Sequence, residues 1–499
     1  ALGLWITNSF AQIPVTVSGT AVTSPALNPT YLNLSDALSA VNAITSYSTP
    51  GTIVLTCTGG NNETAPAKGF FIGSATLNPL LSSTNTITIV ASGGAVTVNA
   101  GVGTVTPTSA TPDGIFSIRG ADYVTIDGLT FTDGNATNRQ PMEIGIALFK
   151  LGATDGAQNN TIQNCTINVK NVNNASGTTP MIEGAVGILM INSTAAAATT
   201  ALTITTAAGT NSNNKFYTNT INGGNYGMGL IGFAGSTPFT TCDTNNDVGG
   251  AALSTGNSIL NFGGGAATNP SAGIRTLAQY GLNVSYNTVN NNTGSNVNHG
   301  TTLRGIYLNT ATSANVTISN NTVSLQSGAT TSACTAIDNQ SGSTSASNTI
   351  NINNNTVNVG YPTATSGVYV AINNSATATT VNINNNTIAQ IPSVALAGTG
   401  THVMIETGSP VSANANNNTI SNITRNGASG SWRGIKTTSP TNFTANGNTI
   451  ENLSWSLVTS TGSFDGIYSL SSAVNVTANN NIIRNLSTPS TGSLRGIVE

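Results

Sequence analysis

The chain carries very little charge. Only 6% of its 499 residues are Asp, Glu, Lys or Arg, where about 25% is usual for soluble domains. The formal net charge of −3 and the lack of a basic stripe argue against a nucleic-acid or anionic-membrane partner. No apolar run approaches the ~18–20 residues that a membrane span needs. Polarity comes instead from Asn, Thr, Ser and Gly, and apolar residues alternate with them, which favours packed strands over disorder.

Cysteine is scarce, and the sequence allows at most two disulfides among Cys57, Cys165, Cys242 and Cys334. Cys57 lies in the segment TIVLTC, where strand alternation places it on the same face as Ile53 and Leu55. Cys165 aligns with an apolar column of the repeat at positions 423, 453 and 486. Both are therefore predicted to be small buried hydrophobic residues rather than bridges or metal ligands. The state of the other two stays open.

Histidine is scarcer still. His299 and His402 are separated by about three repeats and have no obvious partner in sequence. No Ser-His-Asp, Cys-His or zinc-ligand spacing occurs, and the glycines form no phosphate loop. These absences exclude the common nucleophilic and metal-dependent motifs, and no cofactor is expected.

What the chain does contain is a repeated phrase, an apolar-x-apolar strand followed by Asn-Asn-Thr and then Ile or Val. The Asn before Thr falls at 287, 321, 355, 386, 418, 448 and 481, at intervals of 34, 34, 31, 32, 30 and 33 residues. A second phrase of the RGIYL type lies about half a period later. A period of this length with about three short strands predicts a solenoid of stacked coils.

The Asn-Asn pair is predicted to mark a corner between strands, because Asn tolerates the left-handed backbone and its amide can bond to the Asn above and below. The predicted stacked column is Asn320, Asn354, Asn385, Asn417 and Asn480, with Gly447 as a gap. About 13 coils at a strand spacing of about 4.8 Å would give a rod of about 60 Å.

One interval doubles, between Asn160 and Asn219, so that this stretch holds either a degenerate copy or a long insertion. The segments 193–212 and 236–256 are the predicted excursions from the coil.

The N-terminal segments differ from the repeat. Residues 1–11 are interpreted as a signal-peptide remnant, with cleavage before Gln12, and the chain is expected to be a piece of a longer exported protein. Residues 12–50 are predicted to form a cap with a helix over 33–47, with Ser35 as its N-cap. Residues 51–499 are predicted to form the repeated coils of a parallel β-helix that is truncated at its C-terminal end.

The opening LSDALSAVNA…GTIVL and the later GADYVTIDGLTF resemble the start of right-handed parallel β-helices of the pectin-lyase-like type, in which a helix covers the first coil. The NNTI coils and very low charge resemble large secreted or cell-surface proteins of Bacteroidetes-type bacteria. The resemblance spans residues 31–499. It implies an all-β, single-stranded right-handed parallel β-helix that is secreted or on the outer cell surface, but one fold hosts many functions.

Enzymes of this fold that the resemblance implies are polysaccharide lyases and glycoside hydrolases. Hydrolysis needs two carboxyl groups about 5–10 Å apart. The hydrolase motifs of the family are absent from this sequence, and Asn298-His299-Gly300 matches one of them only in part. The densest acidic cluster comprises Asp113, Asp122, Asp127 and Asp133, with Glu143, Glu183, Arg119, Arg139 and Lys150 nearby. These acids are interpreted as solvated side chains with local ion pairs; a calcium or catalytic site is the alternative.

Two tryptophans offer a different kind of site. Trp432 and Trp455 could flank one loop edge and stack on a carbohydrate ring. Ice binding would need a regular Thr-x-Thr array on one face, and the outward residues of the repeat vary instead.

Charges fall in register near the C-terminal end of the chain. The RGI phrases place Arg433, Asp465 and Arg495 at one position on three successive coils, and Glu451 and Arg484 share a second position. Asp465 should therefore lie between two guanidinium groups. Because exposed pairs contribute little, reversing this charge is expected to lower thermal stability modestly.

The sequence as a whole favours an exported, non-enzymatic β-solenoid that forms the stalk or display region of a larger surface protein. The alternative is a polysaccharide-active lyase or hydrolase, or a carbohydrate-binding β-helix. The expected partners are polysaccharides or cell-surface glycans, and the chain is expected to be monomeric. An acidic cluster around one groove would favour the alternative, and a smooth uncharged face would favour the stalk.

Overall fold

The computed structural model describes residues 12–103, 113–134, 142–173, 184–265, 269–294, 298–344, 347–457, 459–470, 473–488 and 492–498. Within these ranges the chain winds through three parallel sheets in turn, one short strand of each per coil. We name them sheet 1, sheet 2 and sheet 3 in the order in which a coil visits them. The predicted signal-peptide remnant, Arg139 and Glu183 lie outside the described residues.

Sheet 1 contains the strands that precede the Asn-Asn corners. Its parallel strands are Thr52–Thr58, Thr86–Ser92, Val124–Asp127, Thr161–Gln163, Lys215–Tyr217, Asp247–Val248, Leu282–Ser285, Val316–Ser319, Thr349–Asn353, Thr380–Asn384, Ser412–Asn414, Asn442–Thr444 and Asn475–Thr477.

Sheet 2 follows the corner and begins, in most coils, with the Thr of the repeat. Its strands are Asn61–Thr64, Val96–Asn99, Thr130–Thr132, Thr166–Val169, Thr220–Gly223, Ser258–Leu260, Thr288–Asn290, Thr322–Gln326, Thr356–Gly360, Thr387–Gln390, Thr419–Asn426, Thr449–Trp455 and Ile482–Ser487, with the short Leu396–Ala397 beside Thr419–Asn426.

Sheet 3 contains the RGIYL-type phrases. Its strands are Phe70–Ile72, Gly114–Arg119, Ile144–Lys150, Val186–Thr194, Tyr226–Ile231, Ser271–Leu277, Leu303–Leu308, Cys334–Asn339, Tyr369–Asn374, His402–Glu406, Ser431–Thr437, Ser463–Ser469 and Leu494–Val498. A 13-stranded sheet agrees with the expected coil number. The parallel β-helix is therefore confirmed.

The interior is a set of stacked apolar columns. Val316 and Ile318 pair with Ile350 and Ile352 on the next coil, and all four are buried. Successive side chains of a strand point to opposite faces, so each coil places the same apolar positions inward, where they meet their equivalents one strand spacing away. The alternation visible in the sequence is thus the packing rule of the core.

The N-terminal cap contains a shorter helix than expected. It spans Leu34–Asn42 rather than 33–47, and Asn33, not Ser35, is the N-cap, its side chain accepting the Asp36 N–H at 2.7 Å. Ser46–Thr49 forms a strand instead, which pairs antiparallel with Val22–Ser24. Leu34, Leu38 and Val41 are buried against the first coil.

A buried carboxylate helps to hold this cap. Glu63 points inward from the first strand of sheet 2 and accepts N–H groups of Ile13, Leu34 and Ser35 at 3.2, 2.8 and 3.3 Å. A negative charge at a helix N-terminus is favourable because the first N–H groups there lack helical partners. The antiparallel strand Val15–Gly19 covers the open edge of Thr52–Thr58, which protects that edge from pairing with another chain.

The doubled interval holds one coil, because Thr161–Gln163 pairs directly with Lys215–Tyr217. The extra residues leave the coil after Thr194, include the short 3₁₀ helix Ala207–Gly209 and return before Lys215. We call residues 195–214 the first excursion. The predicted excursion at 236–256 is wrong in part, because it includes Asp247–Val248 of sheet 1. The other short helices are Asn78–Leu80 and Leu253–Thr255.

The predicted corner column has the expected backbone. Asn320, Asn354, Asn385, Asn417 and Asn480 have φ between 56° and 59°, and Gly447 has φ 66°. Their side chains are not the hydrogen-bonded ladder, however. The ladder is formed one residue later by Asn219, Asn257, Asn287, Asn321, Asn355, Asn386, Asn418, Asn448 and Asn481, whose amides bond from coil to coil at 2.9–3.1 Å.

Cys165 corrects the sequence alignment. Its backbone N–H donates to Asn219 Oδ1 at 3.1 Å, so it occupies the ladder position rather than the apolar column of Ile423. Cys165 nevertheless is buried as predicted, and so is Cys57; Cys242 and Cys334 are also buried and free. Burial raises the pKa of the Cys57 and Cys165 thiols to about 12.

Candidate binding face on sheet 3

The three sheets differ in the side chains that they turn outward. The strands of sheets 1 and 2 present mainly Asn, Thr and Ser, including an amide row in which Asn382 bonds to Asn351 and Asn414 to Asn382, each at 2.9 Å. Most of the charge of the strands lies on sheet 3. Its outward charged residues are Arg119, Arg275, Arg304, Asp338, Glu406, Arg433, Lys436, Asp465 and Arg495, and Lys150 ends a strand of the same sheet on the inward side.

The predicted charge register near the C-terminal end is confirmed. Arg433 pairs with Asp465, and Asp465 with Arg495, on successive strands of sheet 3. The Asp465 carboxylate lies 3.6 Å from Arg433 Nε and 2.6 Å from Arg495 Nε, and its side chain is fully buried. The second predicted pair, Glu451 with Arg484, is also in register on sheet 2 at 2.6 Å.

Arginines on sheet 3 also lie over aromatic rings. The guanidinium carbon of Arg275 is 5.1 Å from the Tyr226 ring centre, and that of Arg304 is 4.1 Å from the Tyr307 ring. Arg304 additionally donates to Asp338 at 2.8 Å. Such stacking fixes a cation over a flat surface and orients its remaining donors.

Three neighbouring grooves follow this face. The first, about 210 Å³ in volume, is lined by Lys68, Asp113, Ser117, Arg119 and Phe149 among others. The second, about 280 Å³, lies between the first excursion and Arg275 and includes Asn192 and Asn309. The third, about 130 Å³, is lined by Tyr226, Ser271, Arg275, Arg304 and Tyr307. Arg275 borders both the second and the third groove.

The first excursion builds one wall of the first and second grooves and covers an apolar patch. Ala147, Phe149, Leu189 and Ile191 point outward from sheet 3 and form a small core with Ala198. Covering this patch removes apolar surface from water, at roughly 25 cal/mol per Å². The excursion therefore holds its place by packing, and it deepens an otherwise flat sheet.

The predicted acidic cluster is divided among separate places. Asp127 lies on sheet 1 and accepts amide N–H groups of Gln163 and Asn164 at 2.8 and 2.7 Å. Asp122 accepts the Gln158 N–H at 2.7 Å in the corner before sheet 1. Burial, with the nearby Asp155 charge, raises the pKa of Asp122 to about 7 against the lowering by that hydrogen bond. The prediction of one solvated cluster is therefore wrong.

Asp113, Asp133 and Glu143 occupy a third place, where sheet 2 turns into sheet 3. All three are at most 5% exposed, so they are not solvated acids. Glu143 accepts the Asp113 N–H at 2.8 Å, and burial raises the pKa of Glu143 to about 7, with smaller contributions from Asp113 and Asp133. Among the described residues, no group of three or more His, Cys, Asp or Glu has an arrangement that could hold a metal ion.

The prediction that Trp432 and Trp455 flank a loop edge and stack on a carbohydrate ring is wrong. Trp432 and Trp455 are 3% and 6% exposed. Trp432 points inward and stacks on Phe464 with ring centres 4.7 Å apart, while Trp455 lies under the Arg425 guanidinium at 4.4 Å. Trp432 directly precedes Arg433, whose side chain faces outward, so the alternation of faces along a strand was the sequence signal that places Trp432 inward.

Both histidines are buried and structural. His402 Nδ1 accepts the Tyr369 N–H at 3.0 Å, and its Nε2 lies 3.1 Å from the Ala397 carbonyl, which requires a proton on Nε2. Burial, with a contribution from Arg425, lowers the pKa of His402 to about 3. Burial also lowers the pKa of His299 to about 4.

Both imidazoles are therefore expected to stay neutral at pH 5. Because the pKa of a histidine is about 6.5 when unfolded, the unfolded state binds more protons below that pH. The stability contributed by neutral histidine is thus complete above pH 6.5 and is lost as the pH falls towards 3–4, by up to about 1.4 kcal/mol per pH unit and ring.

An NMR titration of the ring signals measures this directly, because the chain contains only 2 His. A midpoint near 6.5 for either ring would contradict the burial described above.

Comparisons with known proteins give no family. No family model and no curated protein matches the chain. Solved structures with similar folds include a surface protein and adhesin of Streptococcus pneumoniae, PfbA, at 11% identity and TM-score 0.35, covering 93% of this chain and 95% of that one. The periplasmic alginate epimerase AlgG has 8% identity and TM-score 0.28, covering 94% and 93%.

A tailspike protein of E. coli bacteriophage HK620 in complex with a pentasaccharide has 13% identity and TM-score 0.33, covering 91% of this chain and 76% of that one. Likenesses this distant carry no argument about activity, and the strand pairing itself establishes the fold. Within the part of the chain that the structure describes, no helix has the length and apolarity to span a bilayer.

Proposed function

We propose that this chain is an exported, non-catalytic β-helix that acts as a rigid display rod and binds glycans along sheet 3. The observation that carries the proposal is the placement of charge: in a chain with 6% charged residues, sheet 3 has more charged residues than either other sheet within the described residues, and three grooves lie along it. Sugars are bound in proteins by aromatic side chains together with planar, multidentate polar groups, and this face offers the half-buried Tyr307 beside Arg275 and Arg304.

The rod part of the proposal rests on the ladder and on the outer amide row. Each buried Asn of the ladder satisfies its neighbour's amide and backbone groups, so a change in coil register would leave several buried polar groups unpaired. Such a body is stiff along its axis. A stiff body that holds a side face away from its point of attachment suits display at a cell surface, which is the location we propose.

The catalytic alternative has weaker support. Both carboxylate oxygens of Asp338 are already engaged, because they accept hydrogen bonds from Arg304 and from Asn373 at 2.8 Å each. Asp465 is held between two arginines. A general acid and a nucleophile or base must face one another across a bond, and carboxylates neutralised in this way are better suited to orienting arginines for binding.

Binding of carboxylated oligosaccharides is therefore expected, without depolymerisation. Replacing both Arg275 and Arg304 by Ala should weaken binding at least about tenfold, because a hydrogen bond to a charged group contributes roughly 1.5–3 kcal/mol. Isothermal titration with alginate and polygalacturonate oligomers measures this. Lys215→Ala, which removes an exposed cation from sheet 1, is the matched control and should leave binding unchanged.

Product analysis of the same mixtures separates the two functions. Depolymerisation of either polymer that is lost in Asp127→Asn or Asp133→Asn would replace the display role with an enzymatic one. Equal losses of binding in the Lys215 and arginine variants would mean that sheet 3 is not the binding face.

A further inference from the structure

The first excursion encloses a fully buried lysine and a fully buried aspartate. Lys150 is the last residue of a sheet 3 strand, and its side chain lies on the same inward face as those of Ile146 and Leu148. Its Nζ lies 3.4 Å from Asp243 Oδ1, and both side chains have 0% exposure. Nζ also donates to the Gly209 carbonyl at 2.7 Å. The two residues are 93 positions apart in sequence.

The surroundings of Asp243 are polar and fixed. Its strand, Asp243–Thr244, pairs with Gln279–Tyr280 of the next coil. Asp243 Oδ1 accepts the Asn211 backbone N–H at 2.8 Å. Gln279 directs its oxygen to Asn246 at 2.8 Å, which leaves its amide nitrogen on the side of Asp243. Backbone and amide N–H groups at these positions can stabilise negative charge that develops on a carboxyl oxygen.

We propose that Lys150 and Asp243 condense to an intramolecular isopeptide bond that joins the sheet 3 strand Ile144–Lys150 to the strand Asp243–Thr244 and closes a loop containing the first excursion. In this step Nζ of the neutral amine forms a bond with Cγ of the protonated carboxyl group, and the Cγ–Oδ2 bond breaks. Oδ2 leaves as water with the carboxyl proton and one amine proton. The second amine proton remains on the new amide, where it can still donate to Gly209. No oxidant or other reactant is required.

The protonation states that this reaction needs are those that burial favours. Burial lowers the pKa of Lys150, against the raising effect of Asp243. Burial also raises the pKa of Asp243, against the lowering effects of Lys150 and of its hydrogen-bond donors. A water-free site therefore favours the neutral amine facing the neutral acid, whereas an exposed pair stays ionised and unreactive.

Position accelerates the reaction. Two groups that are held in contact can react as though present at an effective concentration of up to about 10⁵–10⁸ M, and the exclusion of bulk water disfavours hydrolysis of the amide once it has formed. The bond would join the coils on both sides of the first excursion without a disulfide. The excursion hydrogen-bonds to both bonded residues, through the Gly209 carbonyl and the Asn211 N–H, so the bond would restrain the segment that forms the wall of the second groove. This consequence does not depend on what the groove binds.

Intact-mass spectrometry of the purified chain tests the proposal. The expected mass is lower than the sequence mass by one water molecule. After denaturation and tryptic digestion, residues 140–170 and 216–275 should appear as one branched species, because trypsin does not cleave after an acylated lysine. Recovery of 140–150, 151–170 and 216–275 as separate peptides, with a full sequence mass, would overturn the proposal.

Two variants and an internal control sharpen the result. Lys150→Arg and Asp243→Ala should each restore the full mass; if either fails to fold, the peptide map of the unaltered chain decides alone. Lys436 and Glu406 form a partly exposed pair at 2.5 Å on the outer face of sheet 3 and should remain uncrosslinked. Loss of water at that pair instead would show that burial at Lys150 is not the cause, and would also overturn the proposal.

Discussion

Replacing Asn355 by Ala is expected to lower the free energy of unfolding by about 2–6 kcal/mol. Asn355 Oδ1 accepts both the backbone and the side-chain N–H of Asn321 at 3.0 Å, and its amide donates to the Ile318 carbonyl and to Asn386, also at 3.0 Å. The variant leaves the Asn321 backbone N–H and the Ile318 carbonyl buried without these partners. Each such group costs roughly 1–3 kcal/mol.

The matched control is the preceding residue of the same corner. Asn354 is exposed and has φ 59°, a conformation that Gly adopts without strain, and Gly447 already stands at the equivalent position. Asn354→Gly should change stability by less than about 0.5 kcal/mol. Urea unfolding compares the two variants, and hydrogen exchange at the Asn321 amide localises the loss. Equal destabilisation in both would contradict the ladder's role.

Replacing Asp465 by Lys is expected to destabilise the last coils by about 3–5 kcal/mol, the cost of breaking a buried ion pair. This destabilisation is larger than the modest loss of stability expected from the sequence, because the alignment of charges in the repeat does not show whether the carboxylate is buried. The carboxylate has 0% exposure, and the two arginines on either side would then face a third cation. Thermal and urea unfolding of the two proteins at the same pH measures the difference.

Glu451→Lys provides the comparison for Asp465. Glu451 and Arg484 are also opposite charges in register, but their side chains are 20% and 61% exposed, so solvent screens the pair. The change should cost at most about 1 kcal/mol. If Asp465→Lys and Glu451→Lys lower the free energy of unfolding equally, burial does not explain the contribution of Asp465 to stability.

The repeat shows how closely sequence and structure correspond in a solenoid. The phrase NVTISNNTV specifies a strand, a left-handed corner and a second strand, and each was predictable because the inward position, the corner residue and the period are all local features. The coil number and the register of Arg433, Asp465 and Arg495 follow from the same alignment. A parallel stack converts equal spacing in sequence into contact in space, so counting residues was sufficient.

Choosing between the two asparagines of the corner needed the structure. Both Asn354 and Asn355 fit the repeat, and both columns stack. Only the direction of each side chain decides which one is buried, and at a left-handed corner that direction does not follow strand parity. The prediction therefore found the right corner but assigned the ladder to the exposed column.

The sequence by itself determined the architecture of this protein: a parallel β-helix with a helical cap and Asn corners, because every coil repeats one local pattern. Tertiary structure alone decided the sites. Two of the grooves on sheet 3 exist because an irregular excursion folds back over outward Phe149 and Ile191, and Lys150 meets Asp243 across coils that no repeat aligns. Periodic contacts are encoded in spacing, whereas contacts made by the segments that break the period depend on how the whole chain packs.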